Sequence, residues 1–73
     1  MQKIEKQRLY RHYKGNIYKI IDFAKHSETL EDMIIYKSVK TEEVWVRPYK
    51  MWNDTIDEAG TLRFTLIEEN DKK

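Results

Sequence analysis

No cysteine occurs among the 73 residues of this chain, so neither a disulfide nor a thiolate-bound metal can hold its fold together. A domain of this size buries only about 60% of the surface that its unfolded chain exposes. Its core must therefore be packed tightly from large side chains. Five Tyr, two Trp and two Phe residues can supply that volume. The lack of cysteine also fits a reducing, cytoplasmic setting.

Short runs of β-branched and aromatic residues, separated by polar turns, predict five β-strands. The runs lie at 9–13, 17–26, 33–39, 44–48 and 62–66. The second run is long and apolar on both faces, which predicts a bend or bulge near Asp22. Pro48 lacks an amide proton and should end the fourth strand, and residues 49–52 suit one helical or 3₁₀ turn.

This order of elements predicts a mostly β fold, a small five-stranded SH3-like barrel with one short turn of helix before the last strand. An OB-like barrel fits less well, because that fold usually has a longer chain and a fuller helix. We expect residues 1–7 to be a flexible N-terminus outside the core, residues 8–67 to form a single barrel domain, and residues 68–73 to be a frayed acidic tail.

The chain has a formal net charge of +1, which argues against a protein built for strong non-specific binding to nucleic acid. The charge is unevenly distributed along the sequence, since residues 1–26 carry seven Lys or Arg against only Glu5 and Asp22. This asymmetry slightly favours an anionic ligand. No apolar run could cross a membrane, and the charged N-terminus lacks the apolar stretch of a secretion signal, so a membrane partner is not expected.

Two groups of residues are candidates for a binding site. His26, Glu28 and Thr29 lie with Ser27 at a predicted strand end, where they could grip a polar ligand or simply cap a turn. Tyr36 and Trp45 lie on adjoining predicted strands, and we expect both to be exposed. They could also be core filler.

Arg47 stands before the proline that ends its strand, where its guanidinium could bind a phosphate or carboxylate at two points. Its alternative role is an internal salt bridge with Glu28 or Glu43.

The residue types do not favour catalysis or metal binding. The chain has only two His residues and no metal-ligand spacing, so no metal and no cofactor is expected. His26 and Ser27 are adjacent on a strand and point to opposite faces, which prevents the hydrogen bond of a nucleophile–base pair. No catalytic residue is assigned, although a small hydrolase using His26 and Glu28 remains an alternative.

Four segments of the chain form a recognisable set: Tyr10-Arg11-His12-Tyr13-Lys14-Gly15, His26-Ser27-Glu28-Thr29, Val44-Trp45-Val46-Arg47-Pro48 and Arg63-Phe64. In their order and spacing they resemble a bacterial family of small domains of unknown function, DUF1653. The resemblance covers residues 8–67 and implies a compact bacterial domain, with no activity to carry over. Asp22 and the turn at residues 40–43 depart from the family pattern, in which glycine is common at both places.

These observations favour a non-catalytic binding module whose partner is a nucleotide, a nucleic acid or a peptide. The second hypothesis is a structural or accessory domain that forms homo-oligomers, such as a homodimer. The third is the small hydrolase-like enzyme.

Overall fold

A computed structural model describes residues 2–67, and five β-strands and one 3₁₀ turn follow one another along this part of the chain. Their bounds are β1 Leu9–His12, β2 Ile17–Lys25, β3 Asp32–Ser38, β4 Val44–Pro48, the 3₁₀ turn Tyr49–Met51, and β5 Phe64–Leu66. The prediction of a mostly β fold with a 3₁₀ turn before the last strand is therefore confirmed. The predicted acidic tail, residues 68–73, lies outside the described residues.

The strands form one antiparallel sheet in the order β4-β3-β2-β1-β5. β4 and β5 are its two edges, and no ladder joins them within residues 2–67. The sheet is not closed, so the SH3-like barrel is not confirmed. Each edge strand keeps one side without a ladder in the described part of the chain, and Trp52, in the chain between β4 and β5, packs into the core on one face of the sheet.

A bulge in β2 confirms the predicted bend near Asp22. Ile20 is opposite Tyr36 and Asp22 is opposite Ile35, so Ile21 is the extra residue between two adjacent positions of β3. The extra residue shifts the alternation of side chains by one. As a result Ile20 is buried in the core whereas Asp22 is exposed on the opposite face.

The core lies on one face of the sheet, which we call the covered face. Its buried apolar residues are Tyr10, Ile20, Ile34, Tyr36, Trp52 and Phe64. Trp52, just after the 3₁₀ turn, is stacked on Phe64 with ring centroids 4.0 Å apart and planes 6° from parallel. The edges of Tyr10 and Tyr36 contact the same indole at 5.3 and 5.0 Å. Aromatic rings thus supply the core volume that so short a chain needs.

The segment before β1 is held against the covered face. Gln2 donates hydrogen bonds to the Phe64 carbonyl (2.7 Å) and to the Asn53 side chain (2.8 Å), and it accepts one from the Leu66 amide (2.9 Å). Ile4 packs against the core. Residues 1–7 were expected to lie outside the core, and Ile4 is not one of the buried core residues although it packs against them. A single apolar residue among polar neighbours has no periodicity from which this packing could be inferred.

We predict that Tyr10→Phe destabilises the protein by about 1–2 kcal/mol. The Tyr10 hydroxyl donates to the Lys3 carbonyl (2.9 Å) and accepts from the Glu5 amide (3.0 Å), so its loss leaves two part-buried backbone groups unpaired. Urea unfolding measures the change. Tyr13→Phe is the matched control, because Tyr13 is 44% exposed. Equal stabilities of the two variants would contradict the docking of this segment.

Candidate functional site

The structure divides the six candidate residues into two groups. His26, Glu28 and Thr29 lie in the loop between β2 and β3, and all three are exposed. The other three, Tyr36, Trp45 and Arg47, lie on β3 and β4.

The loop residues form a cap for their own turn. Nδ1 of His26 accepts hydrogen bonds from the amides of Glu28 (3.1 Å) and Thr29 (3.3 Å). Oγ1 of Thr29 accepts from the amide of Glu31 at 3.2 Å. These bonds stabilise a turn that includes Leu30 at a φ of 64°. The side chains of His26 and Thr29 therefore cap this turn, which is one of the two roles weighed from the sequence.

Tyr36 and Trp45 lie directly opposite each other in the β3–β4 ladder, and Arg47 follows two residues after Trp45 on the same face. Trp45 is 50% exposed, as expected. The expectation that Tyr36 is exposed is wrong, since only 9% of it is accessible. Tyr36 is in an inner strand with Trp52 against its ring, whereas Trp45 is in an edge strand with a neighbouring strand on one side only.

The guanidinium of Arg47 is fixed by the chain that follows β4. Its Nε donates to the Met51 carbonyl (3.1 Å) and one terminal nitrogen donates to Oδ2 of Asp54 (3.1 Å). The guanidinium also lies 5.8 Å from the centre of the Phe64 ring. The ion-pair partner of Arg47 is thus Asp54, and not Glu28 or Glu43 as the sequence suggested.

Asp54 binds a second arginine with its other oxygen. Nε of Arg63 donates to Oδ1 of Asp54 at 3.2 Å, and the Arg63 guanidinium lies 5.8 Å from the centre of the Tyr13 ring. One carboxylate therefore neutralises only one of two guanidinium charges. The side chains of Arg47 and Arg63 are 20% and 30% exposed, so part of each faces solvent.

His12 and Tyr18 continue this surface across the covered face. The His12 ring contacts Phe64 at 5.1 Å and Tyr18 at 6.1 Å, and Tyr18 contacts Tyr36 at 5.4 Å between ring centres. We call these side chains with the two arginines and Trp45 the arginine–aromatic site; its residues are His12, Tyr18, Tyr36, Trp45, Arg47 and Arg63.

The surroundings of His12 indicate a positive local potential. Burial lowers the pKa of His12 below its ordinary value of 6.5, and the charges of Arg63, Lys14 and Arg47 lower it further. Nδ1 of His12 accepts a hydrogen bond from the Lys14 amide at 3.2 Å. The neutral imidazole therefore carries its proton on Nε2, where it is a donor.

The site also has the hydroxyl groups of two tyrosines. Within residues 2–67, neither the Tyr18 nor the Tyr36 hydroxyl makes a side-chain hydrogen bond. Burial raises the pKa of Tyr36, with Arg47 opposing that rise, so its hydroxyl stays protonated at neutral pH. The arginine–aromatic site thus combines donors, partly neutralised cations and ring faces, a combination suited to an anion.

Sequence reasoning missed Arg63, His12 and Tyr18 as members of this site, and Asp54 as the partner of its two arginines. Arg63 alternates with apolar residues before β5 and resembles any solvent-facing strand residue, and Asp54 lies in a polar loop. The basic N-terminal third of the chain was a partial signal, because Lys14 contributes to the potential at His12.

The opposite face of the sheet carries a shallow apolar groove of about 400 Å³. It is lined by Ala24, Lys25, His26, Met33, Ile35, Val44, Trp45 and Val46. Across the part of the chain that the structure covers, no three His, Asp or Glu side chains lie close enough to hold a metal ion. None of the helical structure in residues 2–67 is long and apolar enough to cross a membrane.

We predict that Lys14→Gln raises the pKa of His12, because it removes one of three positive charges near the imidazole. NMR titration of the His12 ring protons measures it, with Lys19→Gln as the control. Because the pKa of His12 is lower in the folded protein than in the unfolded chain, the unfolded chain takes up a proton on His12 more readily. His12 therefore reduces the free energy of unfolding as the pH falls below 6.5. A wild-type pKa above 6.5, or equal values in both variants, would contradict the positive potential.

Comparisons with known proteins agree on one family. The sequence model of the family described as "Protein of unknown function (DUF1653)" matches residues 8–66. The chain is similar to a crystal structure of a DUF1653 protein from Bordetella bronchiseptica, with 27% identity and a TM-score of 0.73, covering 94% of this chain and 95% of that one. No curated protein matches. The chain belongs to the DUF1653 family of proteins of unknown function.

Proposed function

We propose that this protein is a non-catalytic binding module for an anionic ligand with a planar ring, of which a nucleotide is the simplest example. The ligand binds at the arginine–aromatic site. The observation that carries the proposal is that Arg47 and Arg63 share the single carboxylate of Asp54, near two tyrosine hydroxyls that make no side-chain hydrogen bond within residues 2–67.

The anionic part of the ligand is held by charge-assisted hydrogen bonds. Arg47 and Arg63 each use one or two N–H groups within the protein, and a guanidinium has five, so both keep donors for a phosphate or carboxylate. Asp54 holds the guanidinium groups of Arg47 and Arg63 in position before a ligand binds, which reduces the conformational entropy lost on binding. The Tyr36 hydroxyl and Nε2 of His12 add neutral donors.

The planar part of the ligand is held by Trp45. Trp45 is half exposed, and it is paired with Tyr36 in the β3–β4 ladder two residues before Arg47. Stacking of a base on an exposed aromatic ring contributes about 1–3 kcal/mol and accepts any base. A proline-rich peptide fits less well, because Tyr36 is buried and the donors of the site call for negative charge.

We predict that adenosine monophosphate shifts the backbone amide NMR signals of β3 and β4 and raises the pKa of His12. Trp45→Ala should weaken its binding about tenfold, equivalent to about 1.4 kcal/mol, while leaving pyrophosphate binding unchanged. Arg47→Gln should weaken both ligands about tenfold, since it removes a charged donor. Isothermal titration calorimetry gives the affinities.

Lys50→Gln is the matched control for Arg47→Gln, because Lys50 is an exposed cation paired with Glu31 outside the site. Single-stranded oligothymidylate and a proline-rich peptide complete the set of probes. The proposal fails if neither adenosine monophosphate nor pyrophosphate shifts any signal, or if Lys50→Gln weakens binding as much as Arg47→Gln. Shifts confined to His26 and Glu28 would favour the hydrolase-like alternative.

A further inference from the structure

The outer edge of β4 carries backbone groups that no other strand in residues 2–67 pairs. The Ser38 amide donates to the Glu43 carbonyl at 2.9 Å, which makes this pair a hydrogen-bonded position of the β3–β4 ladder. In an antiparallel ladder, hydrogen-bonded pairs alternate with pairs whose backbone groups point away from the partner strand. Trp45 and Arg47 therefore direct their backbone groups at β3, while Val44 and Val46 direct theirs outward.

Pro48 agrees with this assignment. It lies opposite Met33, one residue from the hydrogen-bonded Arg47 position, so the proton that its nitrogen lacks would have pointed away from the sheet. The edge thus ends at Pro48. Within the strand it offers the amides and carbonyls of Val44 and Val46, and the carbonyl of Pro48.

The side chains of this edge are apolar and open to solvent. Val44 is 63% exposed, Trp45 50% and Val46 59%. Proteins usually protect such an edge with lysine, inward charges or a cover, because unpaired strands associate. No charged side chain interrupts the three residues, and Val44 and Val46 border the apolar groove on the uncovered face.

We propose that β4 pairs with β4 of a second copy of this chain, antiparallel and around a two-fold axis through Trp45. The two strands then form one ten-stranded sheet across the dimer. Each copy's Val44 is opposite the other's Val46, and these pairs exchange four backbone hydrogen bonds, which uses every outward amide of the strand.

Charge and shape favour a second copy over an unrelated strand. In this register Arg47 of one copy lies opposite Glu43 of the other, at both ends of the interface, and Trp45 lies opposite Trp45. A register centred on Val46 would instead place Val44 opposite Pro48, which cannot donate. When β4 pairs with itself in this register, charged residues therefore lie opposite residues of the other sign, and apolar residues lie opposite apolar residues.

This dimer is independent of the proposed ligand, although the two share Trp45 and Arg47. The second copy's Trp45 would lie beside Trp45, on the side away from Tyr36. The dimer can exist without any ligand, and a monomer could bind one, so the two proposals fail separately.

The test is the molar mass in solution, measured by light scattering on a sizing column and by sedimentation equilibrium. We expect the wild-type chain to reach twice its monomer mass as its concentration approaches about 1 mM. Val46→Pro removes one outward amide proton and no hydrogen bond of the β3–β4 ladder, so it should stay monomeric at every concentration with its circular dichroism unchanged.

Val44→Lys is a second variant that keeps every backbone proton and places like charges on the shared edge; it should also stay monomeric. Val39→Lys is its matched control, since Val39 is 52% exposed in the turn before β4, and it should dimerise like the wild type. The proposal is overturned if the wild-type chain stays monomeric, if the dimer persists in Val44→Lys, or if Val39→Lys abolishes it.

Discussion

The stacking of Trp52 on Phe64 is the contact on which the rest of this structure depends. An open sheet cannot enclose a core by itself, so one face needs a cover, and Trp52 supplies it with all of its surface buried. Its Nε1 has no hydrogen-bond partner within residues 2–67, which costs about 1–3 kcal/mol. Truncating a buried tryptophan typically costs about 3–5 kcal/mol, so ring packing outweighs the unpaired donor.

The same covering segment builds the candidate site. Asp54 follows Trp52 by two residues, so seating the indole on Phe64 brings a carboxylate between β4 and the residue before β5. That carboxylate fixes Arg47 from one side and Arg63 from the other. The arrangement links stability to recognition, because the guanidinium groups that face solvent are held in place by a segment whose position is set by the core.

The local pattern of apolar, polar and turn residues was enough to predict the strands, the bend in β2 and the 3₁₀ turn, since each depends on near neighbours in the sequence. The same pattern predicted that Tyr36, Trp45 and Arg47 lie on neighbouring strands, because a hairpin determines which residues are opposite each other. Barrel closure, the pairing of Arg47 with Asp54 and the burial of Tyr36 depend on how the chain after β4 crosses the sheet. No short-range periodicity encodes that path. His26 and Glu28 looked like a site because polar residues at a strand end serve capping and binding equally well.

Hydrogen exchange of the β4 amides, followed by NMR in dilute solution, is the sharpest test of the open sheet. An open sheet with a free β4 edge predicts alternation: the amides of Trp45 and Arg47 exchange slowly because they bond to β3, and those of Val44 and Val46 exchange rapidly because they face solvent. Slow exchange at all four positions, independent of protein concentration, would mean that another strand covers this edge and would contradict the open sheet.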